Sequence, residues 1–172
     1  IVNIKSKESL SALYPLMASS VKEQFNKRES VSILFENSGH GATFSDLRRF
    51  SNLQFAYGIT RVATAPEPMS LNGFRKRVSS TASYLRDDIL EAHRRFCDEL
   101  AVINSAMSQG YSAAETLLLN NLTAKWIEFD SIANERVDSV ALAMNDAINQ
   151  LTVKHIPFHI GSELVLREHA SV

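Results

Sequence analysis

His155 and His159 stand four residues apart, the spacing that would set two metal ligands on one helix face. Pro157 lies between them, and a proline inside a helix removes a hydrogen bond and clashes with the preceding turn, so the pair reads as scattered surface histidines. The triplet Gly39, His40, Gly41 lacks the further glycine and the strand-then-helix setting of a phosphate-cradling loop, and reads as a turn. Cys97 follows Phe96 in a charged stretch with no evident histidine to activate it, so its thiol reads as inert. Nucleophile elbow, zinc-protease and dinucleotide motifs are missing from the sequence, so no enzyme class is indicated and no cofactor or metal is expected.

Two groups of carboxylates remain. Asp87, Asp88 and Glu91 share one segment and Glu128, Asp130 and Glu135 another. A catalytic pair needs surroundings that push its two pKa values apart, which spacing alone does not supply. Solvated helix faces account for them more simply. The sharper alternative sets some of them against like charges on a neighbouring subunit, so that assembly depends on pH. Arg136 sits on an otherwise apolar stripe, where it can snorkel, pair with Asp138 or another acid, or present its guanidinium to a phosphate.

The elements that must carry these residues are mostly helical by pattern. From Ser9 to Phe25 the apolar residues Leu10, Leu13, Leu16, Met17, Val21 and Phe25 recur every three or four positions, with Pro15 in the first turn. Val31, Ile33, Leu34 and Phe35 suggest a short helix or helical turn, and 37-NSGHG-41 a break. The stretch 53-LQFAYGITRVAT-64 clusters aromatic and β-branched residues and predicts one or two short strands, while 65-APEPMSLNG-73 predicts a surface loop. Leu85, Ile89, His93, Phe96, Leu100, Ile103 and Met107 form the stripe of one long helix that Gly110 ends. A second long helix is expected to start near Ser112, capped with Glu115. Its stripe runs through Phe129, Ile132, Ala133, Arg136, Val137, Val140, Ala141, Met144, Ala147, Ile148 and Leu151 until Pro157 stops it. The segment 158-FHIGSELVL-166 closes the chain. These elements predict an all-α fold, an antiparallel four-helix bundle with two long C-terminal helices and a small β element, in a single domain over residues 1–172.

The 172 residues are 45% hydrophobic and 22% charged with six Gly and four Pro, which excludes a disordered or fibrous chain and allows a core without metal or disulfide staples. A net charge of -1 excludes a strongly basic nucleic-acid binder but leaves room for local clusters such as Arg48 with Arg49 and Arg94 with Arg95. No apolar run approaches the roughly 20 residues of a membrane span, so no membrane partner is expected. The sequence opens on Ile1 rather than Met, as a processed or trimmed product would.

The stretch 133-ANERVDSVALAMNDAINQL-151 resembles the long helix near the C-terminal end of the coat proteins of rod-shaped plant RNA viruses, of the tobacco mosaic virus type. Arg136, Val137, Asp138, Ala143, Ala147, Ile148, Asn149 and Leu151 fit that helix at the family's spacing. Three further patches follow the family's order: Leu13, Leu16, Val21, Gln24 and Phe25; then 49-RFSNLQFAYG-58; then Phe158 with Leu164 and Leu166. Ser139, His159 and Leu166 stand where the family carries an acid, a Glu and a Trp.

The resemblance implies a capsid protein that self-assembles with identical subunits into a helical rod around single-stranded RNA, resident in the virion and, during assembly, in the host cytoplasm. It implies RNA contacts at Arg136 and Asp138, and at Arg94 and Arg95 on the preceding long helix. A few local arginines suffice when many subunits share one strand. The competing expectation is a ligand-sensing or interaction domain of a receptor, built on a helical bundle.

Overall fold

The computed structural model describes residues 12–35, 42–65, 70, 72–74, 87–130 and 135–169. Contacts gather the chain into two compact units, one built mainly on Lys27–Gly110 and the other on Ala12–Asn26 with Tyr111–Val172.

In the first unit, β1 (Val31–Leu34) and β2 (Arg61–Thr64) pair in parallel, Val31 opposite Arg61 and Leu34 opposite Thr64. Parallel neighbours need a crossover, here the helix α2 (Phe44–Ala56). A capping box starts α2. The Thr43 hydroxyl accepts the Asp46 N–H at 3.2 Å, and the Thr43 N–H donates to the Asp46 carboxylate at 3.1 Å. The helix ends at Tyr57, before Gly58 takes φ 86, a left-handed angle that glycine adopts without strain. A long helix, α3 (Asp87–Met107), packs on α2 and β2. Phe96 and Leu100 from α3 meet Leu34, Phe35, Leu47, Phe55, Ile59 and Val62 in one buried cluster, with Ile103 and Met107 at its margin. Each such side chain contributes about 2 kcal/mol by leaving water.

The second unit repeats the parallel pairing. β3 (Thr116–Asn120) lies beside β4 (Phe158–Ser162), Leu118 opposite Ile160, and the crossover runs through α4 (Leu122–Ile127) and α5 (Glu135–Val153). α1 (Leu13–Gln24) packs on β4, and α6 (Glu163–His169) follows it. Met144 and Ile148 of α5 and Ile160 of β4 are buried together, with Leu13, Leu16, Met17, Leu118 and Phe158 against them. Lys22, nearly buried on α1, sets its ammonium 2.7 Å from Glu23, whose carboxylate also accepts the Ser112 N–H at 3.3 Å.

The expected all-α four-helix bundle is therefore replaced by a mixed α/β fold, with helices around two small parallel sheets. Two segments make the difference. Val31–Leu34, expected as a helical turn, is β1, because its alternation buries Ser32 and Leu34 and exposes Val31 and Ile33, a period of two. The second long helix expected from Ser112 is interrupted by β3, a run of three leucines whose helix propensity yields to pairing with β4. Ser112 caps no helix there, and its hydroxyl accepts the Ala114 N–H in a segment without regular secondary structure. Within 53–64 only Arg61–Thr64 is strand, since α2 runs on to Ala56. The start of the first expected helix (Ser9–Ser11), the 37–41 break and most of the 65–73 loop lie outside the described residues.

Candidate functional site

Between α2 and α3 of the first unit runs a groove of about 330 Å³. Phe96 and Leu100 are its buried lining, Ile103 and the exposed Val102 extend it along α3, and Ser51 and Asn52 line it from α2. Ser51 is buried and too small to fill the space a larger residue would take, its hydroxyl donating to the Leu47 carbonyl at 2.9 Å. At the rim Arg48 forks onto Glu99, Nε to Oε2 at 2.6 Å and Nη2 to Oε1 at 2.9 Å. This fork raises the pKa of Arg48 and holds Glu99 below the usual carboxylate range. An apolar lining with one charge-balanced fork is the chemistry of a small, mostly apolar guest.

One turn along α3, the thiol of Cys97 meets the imidazole of His93, Sγ to Nε2 at 3.4 Å. The His93 ring stands edge-on to Phe44, centroids 6.4 Å apart, and its Nδ1 is shut away from solvent with no hydrogen-bond partner among the described residues. The expectation of a cysteine without an activating histidine overlooked this neighbour. Its signal was the i, i+4 spacing on a helix that the apolar stripe already predicted.

In the second unit the two faces of the β3–β4 sheet differ. Leu118, Phe158 and Ile160 are packed under side chains of α1 and α5. On the opposite face Leu117 and Leu119 are 41% and 36% exposed. Leu117 lies across Gly161, where a Cβ would come within 2.9 Å of its methyl group. Beyond the end of β3, Trp126, Ile127 and Phe129 are each more than 60% exposed. Parallel sheets are normally covered on both faces, so this partly exposed apolar face is a candidate contact surface.

The residues expected to touch RNA fall in both units. Arg94 and Arg95 are exposed on α3, Arg95 donating to Glu91 at 3.1 Å. Arg136 and Asp138 are on α5 of the other unit; Asp138 is exposed, and the Arg136 side chain lies outside the described residues. Asp87 and Glu91 are exposed on α3, the Asp88 side chain is not described, and Glu128 and Asp130 follow α4. His155 and His159 share no helix face, because His155 turns the chain after α5 and His159 belongs to β4. Among the described residues no helix is long and apolar enough to cross a membrane. No family model, curated protein or solved structure matches the chain.

Proposed function

We propose that this chain is an association protein that assembles with copies of itself through the second unit. The observation that carries this reading is the open apolar face of Leu117 and Leu119 on a parallel sheet covered on its other face. A second copy suits that face because a net charge of -1 leaves little repulsion between identical chains. In its specific form the assembly is a coat around single-stranded RNA, supported by the collinear patches at Leu13–Phe25, 49–58, Arg136–Leu151 and Phe158–Leu166. That form rests on sequence pattern alone.

Light scattering across a concentration series, with negative-stain microscopy as pH and salt are varied, tests the assembly. Oligomers, discs or rods are expected, and Leu119→Lys weakens them by about tenfold or more, since a charge must then be buried at the contact. A single monomeric species under every buffer overturns the reading. For the RNA half, nuclease protection of bound RNA is expected to fall in Arg136→Ala and in Arg94→Ala with Arg95→Ala, the subunit staying folded.

A second reading, a ligand-sensing domain, is favoured by the groove between α2 and α3. Its mark is a saturable thermal upshift with small aromatic alcohols or amides, lost in Ser51→Phe and independent of oligomeric state.

A further inference from the structure

The outer edge of β4 is closed by α1, because the Ile160 N–H donates to Ser20 Oγ and the Ile160 carbonyl accepts from the Gln24 amide, each at 2.8 Å. Ile160 therefore turns its backbone groups away from β3. In a parallel ladder successive residues face opposite edges, and Leu118 lies opposite Ile160, so it is Leu118 that bonds across to His159 and Gly161. Leu117 and Leu119 then aim their N–H and C=O groups at the outer edge of β3. None of these four groups has a hydrogen-bond partner among the described residues.

An unpaired edge is a template for another strand, and folded chains usually guard it with a lysine, a proline or a bulge. β3 has no such guard: it reads Thr116, Leu117, Leu118, Leu119, Asn120 and pairs with β4 in unbroken register. β1 differs on both flanks. Arg28 and Glu29 lie just before it, and Phe35 at φ 72 turns the chain aside at its end.

We infer that β3 pairs antiparallel with β3 of a second copy across a twofold axis, joining two sheets into one of four strands in the order β4–β3–β3–β4. The register follows from the free groups. With the axis at Leu118, Leu117 stands opposite the partner's Leu119, and the two exchange both of their hydrogen bonds, as one class of pairs in an antiparallel ladder does. The symmetry-related pair repeats this, so every outward group of Leu117 and Leu119 in both copies is satisfied. Thr116 meets the partner's Asn120 and Glu115 meets the partner's Asn121, so no like charges stand opposite each other. A second copy suits this edge better than an unrelated peptide, because the register that satisfies every free group is one that a twofold axis imposes on identical strands. The inference rests on the self-association proposed above and names the backbone contact that one pair of copies makes. The Leu117 and Leu119 side chains of both copies then form one apolar surface for the face-to-face contact.

The test is amide hydrogen exchange of the full chain, read by NMR over a concentration series whose association is followed by light scattering. Leu118, held by β4, is the internal reference and exchanges slowly throughout. The Leu117 and Leu119 amides are expected to exchange fast in dilute protein and about tenfold more slowly once about nine-tenths of the chains are associated. Association without that slowing overturns the edge pairing and leaves self-association through another surface standing; a chain that never associates overturns both. Two variants separate edge from face. Leu119→Ala trims the side chain and keeps the outward N–H, whereas Leu119→Pro also removes that N–H at an edge position where proline is tolerated. Leu119→Pro is expected to associate about thirtyfold more weakly than Leu119→Ala, two hydrogen bonds being lost across the twofold axis. Equal association of the two variants overturns the inference. If Leu119→Pro does not fold, the exchange of the wild-type amides decides the matter.

Discussion

The side-chain amide of Asn104 holds both backbone polar groups of Val62, its Oδ1 accepting the Val62 N–H at 2.9 Å and its Nδ2 donating to the Val62 carbonyl at 3.2 Å. A residue on α3 thus stands where a third strand would lie and closes the edge of β2. The second unit repeats the device with two residues of α1: Ser20 Oγ accepts the Ile160 N–H at 2.8 Å, and Gln24 donates to the Ile160 carbonyl at 2.8 Å. Asn104→Ala leaves two partly buried groups of Val62 without these partners, which is expected to cost about 2 kcal/mol. Urea unfolding measures it, and a loss under about half a kcal/mol, the scale of an ordinary surface change, would show that water replaces the amide freely.

The stripes legible in the sequence were those that local periodicity fixes. Phe96, Leu100, Ile103 and Met107 pack as their three- and four-residue spacing predicts, and so do Met144 and Ile148. The strands were less legible. Thr116–Asn120 is a leucine run that favours helix locally, and only its partner 42 positions later, Phe158 beside Thr116, makes it a strand. Site residues divide along the same line. His93 and Cys97 could be paired from spacing within one helix. Arg48 and Glu99, 51 positions apart, could not, because nothing in either neighbourhood specifies the packing of α2 on α3.

The open face offers a second measurable coupling. A Cβ at residue 161 meets the Leu117 methyls and Cγ at 2.9 to 3.1 Å, so Gly161→Ala must push that flexible side chain aside. The expected cost is about 1 kcal/mol in the wild-type background. Leu117→Ala removes the obstruction, so the same glycine substitution becomes close to neutral there. A double-mutant cycle by chemical denaturation reads the difference, and additive effects would show that the two residues do not touch in solution.

The end of α5 is held by a non-glycine residue in a conformation suited to glycine. His155 has φ 54, its N–H donates to the Thr152 carbonyl at 3.1 Å, and the Ile156 N–H donates to the Leu151 carbonyl at 3.0 Å. These two bonds with a left-handed residue between them form a Schellman ending. His155→Gly relieves the side-chain penalty and is expected to stabilise the unit by about 0.5–1 kcal/mol, read as a raised melting temperature.

Two exposed carboxylates tie stability to acid pH. The Arg48 fork holds Glu99 below the usual carboxylate range, and the Thr43 hydroxyl and N–H do the same for Asp46. A carboxylate whose pKa is lowered by folding stabilises the native state fully above its unfolded value, about 4, and loses that contribution as pH falls through the lower folded value. The stability gap between wild type and Glu99→Gln is therefore expected to be widest near neutral pH and to close in acid. Added salt narrows it too, because both partners face solvent. Carboxyl NMR supplies the direct check: Arg48→Met should return the Glu99 titration toward the ordinary range, while Asp46 stays put because Thr43 still holds it. A Glu99 titration unmoved by Arg48→Met would mean that the fork does not persist in solution, and the groove between α2 and α3 would then lose the charge-balanced rim that selects an uncharged guest.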